Sequence, residues 1–155
     1  MSRPLLPSPA CPAVHGRLGA LLAHLDTRSL HGQRIVVTGG TGFFGYWLLS
    51  LFDLLHCQGV ALKVCVLSRS PTAFLARAPF LADAPWLDWQ QGDIKDFGAL
   101  PPADLLIHAA TDTDAAAHRH PLAIMDDILL GTRHTLERAR EAGVRRALYV
   151  SSGAV

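Results

Sequence analysis

The chain has 155 residues, half of them hydrophobic and 17% charged, which suits one domain with a substantial core. Lysine and arginine number 14 against 13 aspartates and glutamates, so the charge balance excludes the strongly basic surface of a typical nucleic-acid-binding protein. This composition favours a buried parallel sheet and argues against intrinsic disorder.

Cysteine usage and the hydrophobic stretches indicate the compartment. The three cysteines, at positions 11, 57 and 65, are too few and too irregularly spaced for a disulfide framework, and they indicate reduced thiols in a cytosolic protein. The amino terminus is interrupted by prolines and does not read as a secretory signal. The most apolar helical stretch, 47–57, contains Ser50 and Asp53 and is too short to cross a bilayer. We therefore expect a cytoplasmic protein with no membrane partner.

The eight histidines raise the question of a metal site, above all at His118 and His120. These two residues have no cysteine or acidic partner at the spacing that metal sites use, and they precede Pro121 in a predicted loop. We therefore predict no metal.

Residues 1–33 are predicted to be an extension of the main domain. The first twelve residues are rich in proline and are expected to be poorly ordered. Apolar residues then recur at helical spacing and predict an amphipathic helix over 13–25. That helix either packs on the domain or covers a partner, and the pattern leaves both open.

Strand and helix patterns alternate over residues 34–155. Strands are predicted at 34–38, 62–67, 86–90, 104–108 and 147–150, and helices at 43–56, 71–76 and 122–141. Alternation of this kind predicts a doubly wound parallel sheet of about five strands, joined by right-handed crossovers in a three-layer α/β/α arrangement. Ligands of such sheets bind beyond the carboxyl ends of the strands.

A glycine-rich turn follows the first strand at once and opens the first helix of this domain. Gly39, Gly42 and Gly45 are spaced three apart, and a strand, tight turn and helix start in this order present backbone N–H groups to a phosphate. Phe43 and Phe44 would lend their N–H groups there. The alternative is a turn that uses glycine only for its conformational freedom.

The second strand ends at Ser68 and Arg69, where many dinucleotide-binding proteins carry an acidic residue. A carboxylate at this position accepts the ribose 2′-hydroxyl of NAD, whereas an arginine favours the 2′-phosphate of NADP. The alternative for Arg69 is a solvated side chain in a loop. We predict that the cofactor is NADP in preference to NAD.

The glycine spacing resembles the TGxxGxxG fingerprint of the short-chain dehydrogenase/reductase superfamily, and residues 148–155 resemble the fifth-strand motif of its extended branch, the NAD-dependent epimerase/dehydratase family. The resemblance covers about residues 33–155, the cofactor-binding half, and implies a Rossmann-type fold. It also implies further cofactor contacts after the third, fourth and fifth strands. These are Asp93, Ile94, Ala109, Ala110, Thr111 and Ser151. For Asp93 and Ile94 the alternative is an ordinary Gly-Asp turn.

The resemblance further implies that Ser152 is a catalytic residue, which hydrogen-bonds the reacting hydroxyl or carbonyl of a nucleotide-linked sugar. Family chemistry also needs a Tyr-x-x-x-Lys pair, whose tyrosine acts as the acid/base. Tyr149 cannot supply it because residue 153 is glycine. Ile128 stands where the family commonly has asparagine, which weakens any expectation of an asparagine-based relay. We expect the catalytic pair in a longer parent enzyme and no turnover by this stretch alone.

The implied reaction is hydride transfer between a sugar carbon and nicotinamide, in an epimerase, dehydratase or reductase of nucleotide-linked sugars. Two alternatives stay open: a non-catalytic protein that senses a dinucleotide, and a related reductase of a non-sugar carbonyl. By analogy with the family, a homodimer through the helix predicted at 122–141 is a candidate assembly.

Overall fold

The structure, a computed structural model, describes residues 5–8, 11–111 and 121–151. Within these ranges, no helix combines the length and the apolar character that a membrane span requires.

Five parallel strands form one sheet in the order β3-β2-β1-β4-β5. The strands are β1 (Gln33–Thr38), β2 (Leu62–Ser68), β3 (Leu87–Gln91), β4 (Leu105–His108) and β5 (Arg146–Tyr149). The chain runs outward from β1 to β3, then returns to the other side of β1. This order confirms the predicted doubly wound sheet, and its switch point lies between β1 and β4. Ligands of such sheets bind beyond the carboxyl ends of the strands at the switch point, the region here called the crevice.

One helix precedes the first strand, and the others connect the strands on both faces of the sheet. They are α1 (Pro12–Leu22), α2 (Phe43–Cys57), α3 (Pro71–Leu75), α4 (Pro121–Asp126) and α5 (Thr132–Glu141), with 3₁₀ turns at Thr27–Leu30 and Pro79–Leu81. A π turn at Asp127–Gly131 joins α4 to α5, so the helix predicted over 122–141 is one helical run with an insertion that the sequence did not predict. Gly59 and Gly143 follow α2 and α5 with φ of 85° and 86°, the left-handed conformation that commonly ends a helix.

Alternating residues of the strands divide the core into two layers. Ile35 and Val37 of β1 face a cluster with Leu49 and Leu55 of α2. Val36 points the other way, into a cluster that includes Ala139 of α5. Because β1 is covered on both faces, its apolar run is continuous, as expected for the centre of a parallel sheet.

The helix α1 packs on α2 through Val14, Leu18 and Leu54. Of the two alternatives for this helix, packing on the domain and covering a partner, the described residues favour the first. The helix ends at Leu22, three residues before the predicted end. Asp26 instead caps the following 3₁₀ turn, where its carboxylate accepts the N–H of Arg28 at 3.1 Å. The division of the chain at residue 33 stays a prediction.

Candidate functional site

The glycine turn between β1 and α2 forms the centre of the site. Gly39 has a φ of 73°, which L side chains rarely adopt. A Cβ at this position would also collide with the backbone of Ala109 and Ala110. The turn closes when the N–H of Gly42 donates to the Gly39 carbonyl at 3.0 Å. Gly39 therefore lets the end of β1 lie directly against the end of β4, at the switch point.

The first turn of α2 presents its backbone N–H groups at the opening of this crevice. Helical hydrogen bonds run from residue i to i−4, so the N–H groups of Phe43, Phe44 and Gly45 have no acceptor within α2. Tyr46 makes the first such bond, to the Gly42 carbonyl at 2.9 Å. The helix is 15 residues long, and its dipole adds partial positive charge at this end. The arrangement favours an anion such as a phosphate.

The two aromatic side chains at this helix start are exposed. Phe43 and Phe44 are 74% and 63% exposed, and their rings contact each other edge to face at 5.7 Å between centroids. Gly45 faces inward, where a Cβ would collide with the backbone of Gly40. Gly45 thus holds the helix start against the turn.

The ends of β2 and β3 are joined beside the turn. Ser68 is buried, and its carbonyl accepts the N–H of Gly92 at 3.0 Å while its hydroxyl accepts the N–H of Ser70 at 3.2 Å. Arg69 is exposed, and its carbonyl accepts the side-chain amide of Gln91 at 3.4 Å. Arg69 therefore lies at the same edge of the sheet as the glycine turn, as predicted, and its contact with a ribose phosphate stays a prediction.

The segment after β3 makes a tight turn of its own. The carboxylate of Asp93 accepts the N–H of Lys95 at 3.0 Å, and its carbonyl accepts the N–H groups of Asp96 and Phe97 at 3.1 and 3.0 Å. Ile94 packs against Gly131, where a Cβ would lie 2.5 Å from the Ile94 Cδ1. These contacts match the alternative of a Gly-Asp turn, and adenine recognition by Asp93 and Ile94 stays a prediction.

The end of β4 carries a buried polar network that sequence reasoning missed. His108 is 3% exposed. Its Nδ1 lies 2.6 Å from the Thr38 hydroxyl, and its Nε2 lies 3.1 Å from the Thr132 hydroxyl. Burial lowers the pKa of His108, so the ring is held neutral. The sequence did carry a signal for this network, because Thr38 and His108 stand at the carboxyl ends of two strands of the predicted parallel sheet.

The other residues predicted after β4 and β5 lie at the same edge. Ala109 and Ala110 are half-buried, and the N–H of Ala109 donates to the Thr38 carbonyl at 3.1 Å. Thr111 and Ser151 are exposed. Ser152, the predicted catalytic residue, lies outside the described residues. The structure therefore brings the ends of β1, β2, β4 and β5 to one edge, while the contacts of each residue with a ligand stay predictions.

An apolar groove of about 520 Å³ lies beside β5 along the π turn and α5. Its lining includes Leu129, Leu136 and Tyr149, with Arg133 and Glu137 at its polar margin. Among the described residues, no group of three or more histidine, cysteine or acidic side chains could hold a metal ion. His118 and His120 lie outside that part of the chain.

Residues 35–155 match the model of the NAD dependent epimerase/dehydratase family. The chain belongs to this family. Among curated proteins, none matches the sequence significantly. The family name describes epimerases and dehydratases, and the solved proteins that resemble this chain include a UDP-glucose-4-epimerase and a reductase domain.

Three similar solved structures share the fold of this family member. Pen from Bacillus thuringiensis is 23% identical with a TM-score of 0.68, and the match covers 81% of this chain and 39% of Pen. UDP-glucose-4-epimerase from Stenotrophomonas maltophila, solved with bound NAD and formylated UDP-arabinopyranose, is 20% identical with a TM-score of 0.59 over 79% of this chain and 38% of the epimerase. The aureusimine biosynthetic cluster reductase domain is 18% identical with a TM-score of 0.55 over 93% of this chain and 42% of that domain.

At these identities the likeness shows the Rossmann-type fold alone, and the chain spans about two fifths of the length of the proteins it matches. The described residues fit the dinucleotide that the family name implies. Gly39 and Gly45 allow the close backbone approaches that set the start of α2 against the turn after β1, and the first turn of α2 offers N–H groups to a pyrophosphate.

Proposed function

We propose that this chain is the cofactor-binding portion of an NAD(P)-dependent enzyme that acts on a nucleotide-linked sugar. The observation that carries the proposal is the helix start at Phe43 and Phe44, which lies above a turn where Gly39 touches the backbone of Ala109. When bound, a nicotinamide dinucleotide supplies a carrier for hydride exchange with a sugar carbon. The chain's own residues bind and orient it.

The residues at the carboxyl ends of the strands are each proposed to have a role in binding. Gly39, Gly42 and Gly45 admit the pyrophosphate, and Phe43 and Phe44 donate their backbone N–H groups to it. Asp93 and Ile94 contact the adenine. The backbone approaches the cofactor most closely at Ala109, Ala110, Thr111 and Ser151. Ser152 hydrogen-bonds the reacting hydroxyl or carbonyl of the sugar.

The proposed cofactor is NADP in preference to NAD. Arg69 follows directly on Ser68, whose position carries no carboxylate to accept a 2′-hydroxyl, and the Arg69 side chain is exposed at the edge of the crevice. A guanidinium suits a 2′-phosphate because it can donate two parallel hydrogen bonds.

Titration calorimetry with NADPH and NADH tests this preference. The unaltered chain should bind NADPH at least about tenfold more tightly, the effect of one charge-assisted contact. Arg69→Ala should abolish the difference. Arg28→Ala is the matched control, because Arg28 is an exposed arginine before β1 and pairs with Asp26. Equal dissociation constants for the two cofactors in the unaltered chain would reject the preference.

We further propose that these 155 residues bind the cofactor without turnover. Neither Tyr46 nor Tyr149 has a lysine four residues later, since Ser50 and Gly153 stand there, so these 155 residues do not contain the acid/base pair that the resemblance implies. Incubation of the purified chain with NADPH or NAD and UDP-sugars should give no epimerised, dehydrated or reduced product. Turnover above that of a Gly39→Val chain would contradict the proposal.

A second candidate function is reduction of a non-sugar carbonyl. The proposed dinucleotide site would serve either kind of enzyme, and a reductase domain is among the solved proteins that share this fold. Substrate profiling of the parent protein separates the two. Activity only with aldehydes, thioesters or ketones that lack a nucleotide would favour this candidate over the first. Cofactor binding with no activity on either class would favour a dinucleotide sensor.

The proposed assembly is a homodimer through the groove beside α5. Leu129 and Leu136 are exposed there, and Arg133 pairs with Glu137 four residues later at 3.0 Å. In a two-fold contact whose axis is perpendicular to α5, the two copies of the helix run antiparallel, so Arg133 of one copy can meet Glu137 of the other. Analytical ultracentrifugation should show a dimer that Leu129→Asp dissociates, whereas Leu21→Asp, at an exposed position of α1, leaves it intact. A monomer at every concentration would contradict the dimer.

A further inference from the structure

Residues 5–8, here called the strap, contact the domain although they precede the region that matches the family. The N–H of Leu6 donates to the carbonyl of Arg77 at 2.7 Å. The Leu6 side chain is half-buried against the core layer that includes α2 and α3. The strap is therefore anchored beside the end of α3.

The strap is also tied to the first turn of α2. The hydroxyl of Tyr46 donates to the carbonyl of Pro7. Tyr46 is 6% exposed, and its ring packs edge to face on Trp47 at 5.4 Å between centroids. Burial raises the pKa of Tyr46, so the hydroxyl keeps its proton and remains a donor. The same residue closes the first turn of α2 through its backbone N–H.

The helix α1 secures the other end of the strap. The N–H of Cys11 donates to the Ser8 carbonyl at 2.9 Å, and α1 begins at the next residue. Val14 and Leu18 then pack on Leu54, two turns further along α2. The strap thus runs between a helix docked on α2 and the end of α3.

The two elements joined in this way, α2 and α3, follow the neighbouring strands β1 and β2. The start of α2 offers the N–H groups proposed for the pyrophosphate, and α3 follows directly on the Ser68–Ser70 loop that holds Arg69. The family match begins only at residue 35, so the strap and α1 are additions of this chain to the matched region.

We propose that the strap and α1 form a brace that positions the first turn of α2 against the loop after β2, with Tyr46 as its positioning residue. The purpose of the brace rests on the proposed cofactor function. When these elements are already held at a fixed spacing, they lose less conformational entropy as a dinucleotide binds, so the dinucleotide binds more tightly. The claim that the strap holds the first turn of α2 depends only on the contacts of Leu6, Pro7 and Tyr46.

Hydrogen exchange and NADPH binding of four variants test the brace. Tyr46→Phe removes the hydroxyl and keeps the ring. Ser29→Ala is its control, because it removes an exposed hydroxyl that donates to the Asp26 carbonyl at 3.4 Å. Leu6→Ala removes the anchor beside Arg77, and Leu5→Ala is its control because the neighbouring Leu5 is exposed. Exchange is read in peptides spanning 43–49 and 71–78, against β1 as the internal reference.

The brace predicts about fivefold faster exchange at 43–49 in Tyr46→Phe, the effect of one net hydrogen bond. Leu6→Ala should loosen 71–78 as well. Both variants should bind NADPH several-fold more weakly, while β1 keeps its protection and the two controls match the unaltered chain. A residue with a purely structural role would instead lower global stability and leave the NADPH affinity unchanged.

The outcomes separate the brace from the proposed cofactor function. Exchange in Tyr46→Phe and Leu6→Ala that equals the controls overturns the brace, whether or not NADPH binds. Faster local exchange with an unchanged NADPH dissociation constant overturns the positioning role. If the unaltered chain binds neither NADPH nor NADH, the cofactor function fails, and the exchange data alone then decide whether the strap braces α2.

Discussion

The imidazole of His108 and the hydroxyl of Thr38 lie 2.6 Å apart, joining the carboxyl ends of β4 and β1 beneath the crevice. On its other side the ring meets the hydroxyl of Thr132, the first residue of α5. A neutral imidazole has one donor and one acceptor nitrogen, and a threonine hydroxyl can both donate and accept. Both contacts can therefore be hydrogen bonds, and His108 links two strands and a helix at the switch point.

This link should make the stability of the domain depend on pH. Burial lowers the pKa of His108 below its ordinary value of 6.5, so the unfolded chain takes up this proton more readily than the folded one. The free energy of unfolding should fall as the pH drops below about 6.5. Urea unfolding at a series of pH values should show this fall, and His108→Gln should reduce it.

The same variant should lower stability at pH 7.5 by about 1–3 kcal/mol, because the buried Thr38 hydroxyl loses its partner. His24→Gln is the control, since His24 is exposed on the chain segment after α1. If the free energy of unfolding of His108→Gln depends on pH as that of the unaltered chain does, protonation of the His108 ring is not the cause of this dependence.

Gly45 and Gly42 should respond differently to alanine. At Gly45 a Cβ collides with the Gly40 backbone, so Gly45→Ala should cost about 1–3 kcal/mol as the helix start is pushed outward. At Gly42 φ is −82° and the nearest atom to a Cβ is the Gly39 carbonyl oxygen at 3.3 Å. Gly42→Ala should cost about 1 kcal/mol or less in stability.

Gly42→Ala should nevertheless weaken NADPH binding about tenfold or more, because its methyl group would add bulk to the turn that is proposed to hold the pyrophosphate. Urea unfolding and calorimetry on the two variants measure stability and affinity separately. Full NADPH affinity in Gly42→Ala would argue that the turn is structural only.

The ion pair of Arg34 and Asp104 should stabilise the opposite edge of the sheet. The guanidinium contacts both carboxylate oxygens at 2.9 and 3.0 Å, and the backbone N–H of Arg34 adds a third bond at 3.1 Å. These hydrogen bonds hold the pKa of Asp104 well below its ordinary range. The stabilisation is therefore present at neutral pH and lost as the pH falls through the acid range.

Asp104→Asn should lower the urea midpoint at pH 7 and lower it less at pH 3. Asp26→Asn provides the comparison: Asp26 pairs with Arg28 near the surface, where the two side chains are 60% and 90% exposed, and such pairs contribute little. An equal loss of stability in the two variants at pH 7 would contradict the special role of Asp104.

Cys65 should resist thiol reagents in the folded chain. It is buried in β2, and burial raises the pKa of its thiol to about 11. Since the thiolate is the reactive form, iodoacetamide at pH 8 should modify the exposed Cys57 and spare Cys65 until urea is added. Mass spectrometry of peptides resolves the two sites. Equal labelling rates without urea would contradict the burial of Cys65.

The prediction of the fold from the sequence succeeded where the pattern was local. The β-branched run of β1, the glycines that end α2 and α5, and the alternation of strand with helix are properties of neighbouring residues, and all appear in the structure. The π turn at Asp127–Gly131 escaped prediction because its residues have an ordinary helical pattern. It lies where Gly131 meets Ile94, a residue distant in the sequence.

The sequence by itself determined the order of strands and helices, the glycines that end α2 and α5, and the glycine spacing of the turn after β1, because backbone conformation and hydrophobic period depend on adjacent residues. It also indicated which residues stand at strand ends. Only the tertiary structure decided that His108 bonds to Thr38, seventy residues away, that Gly45 rests on Gly40, and that Tyr46 holds the strap. These contacts arise when packing brings separate elements together, and a distance across the fold is not encoded in any local pattern.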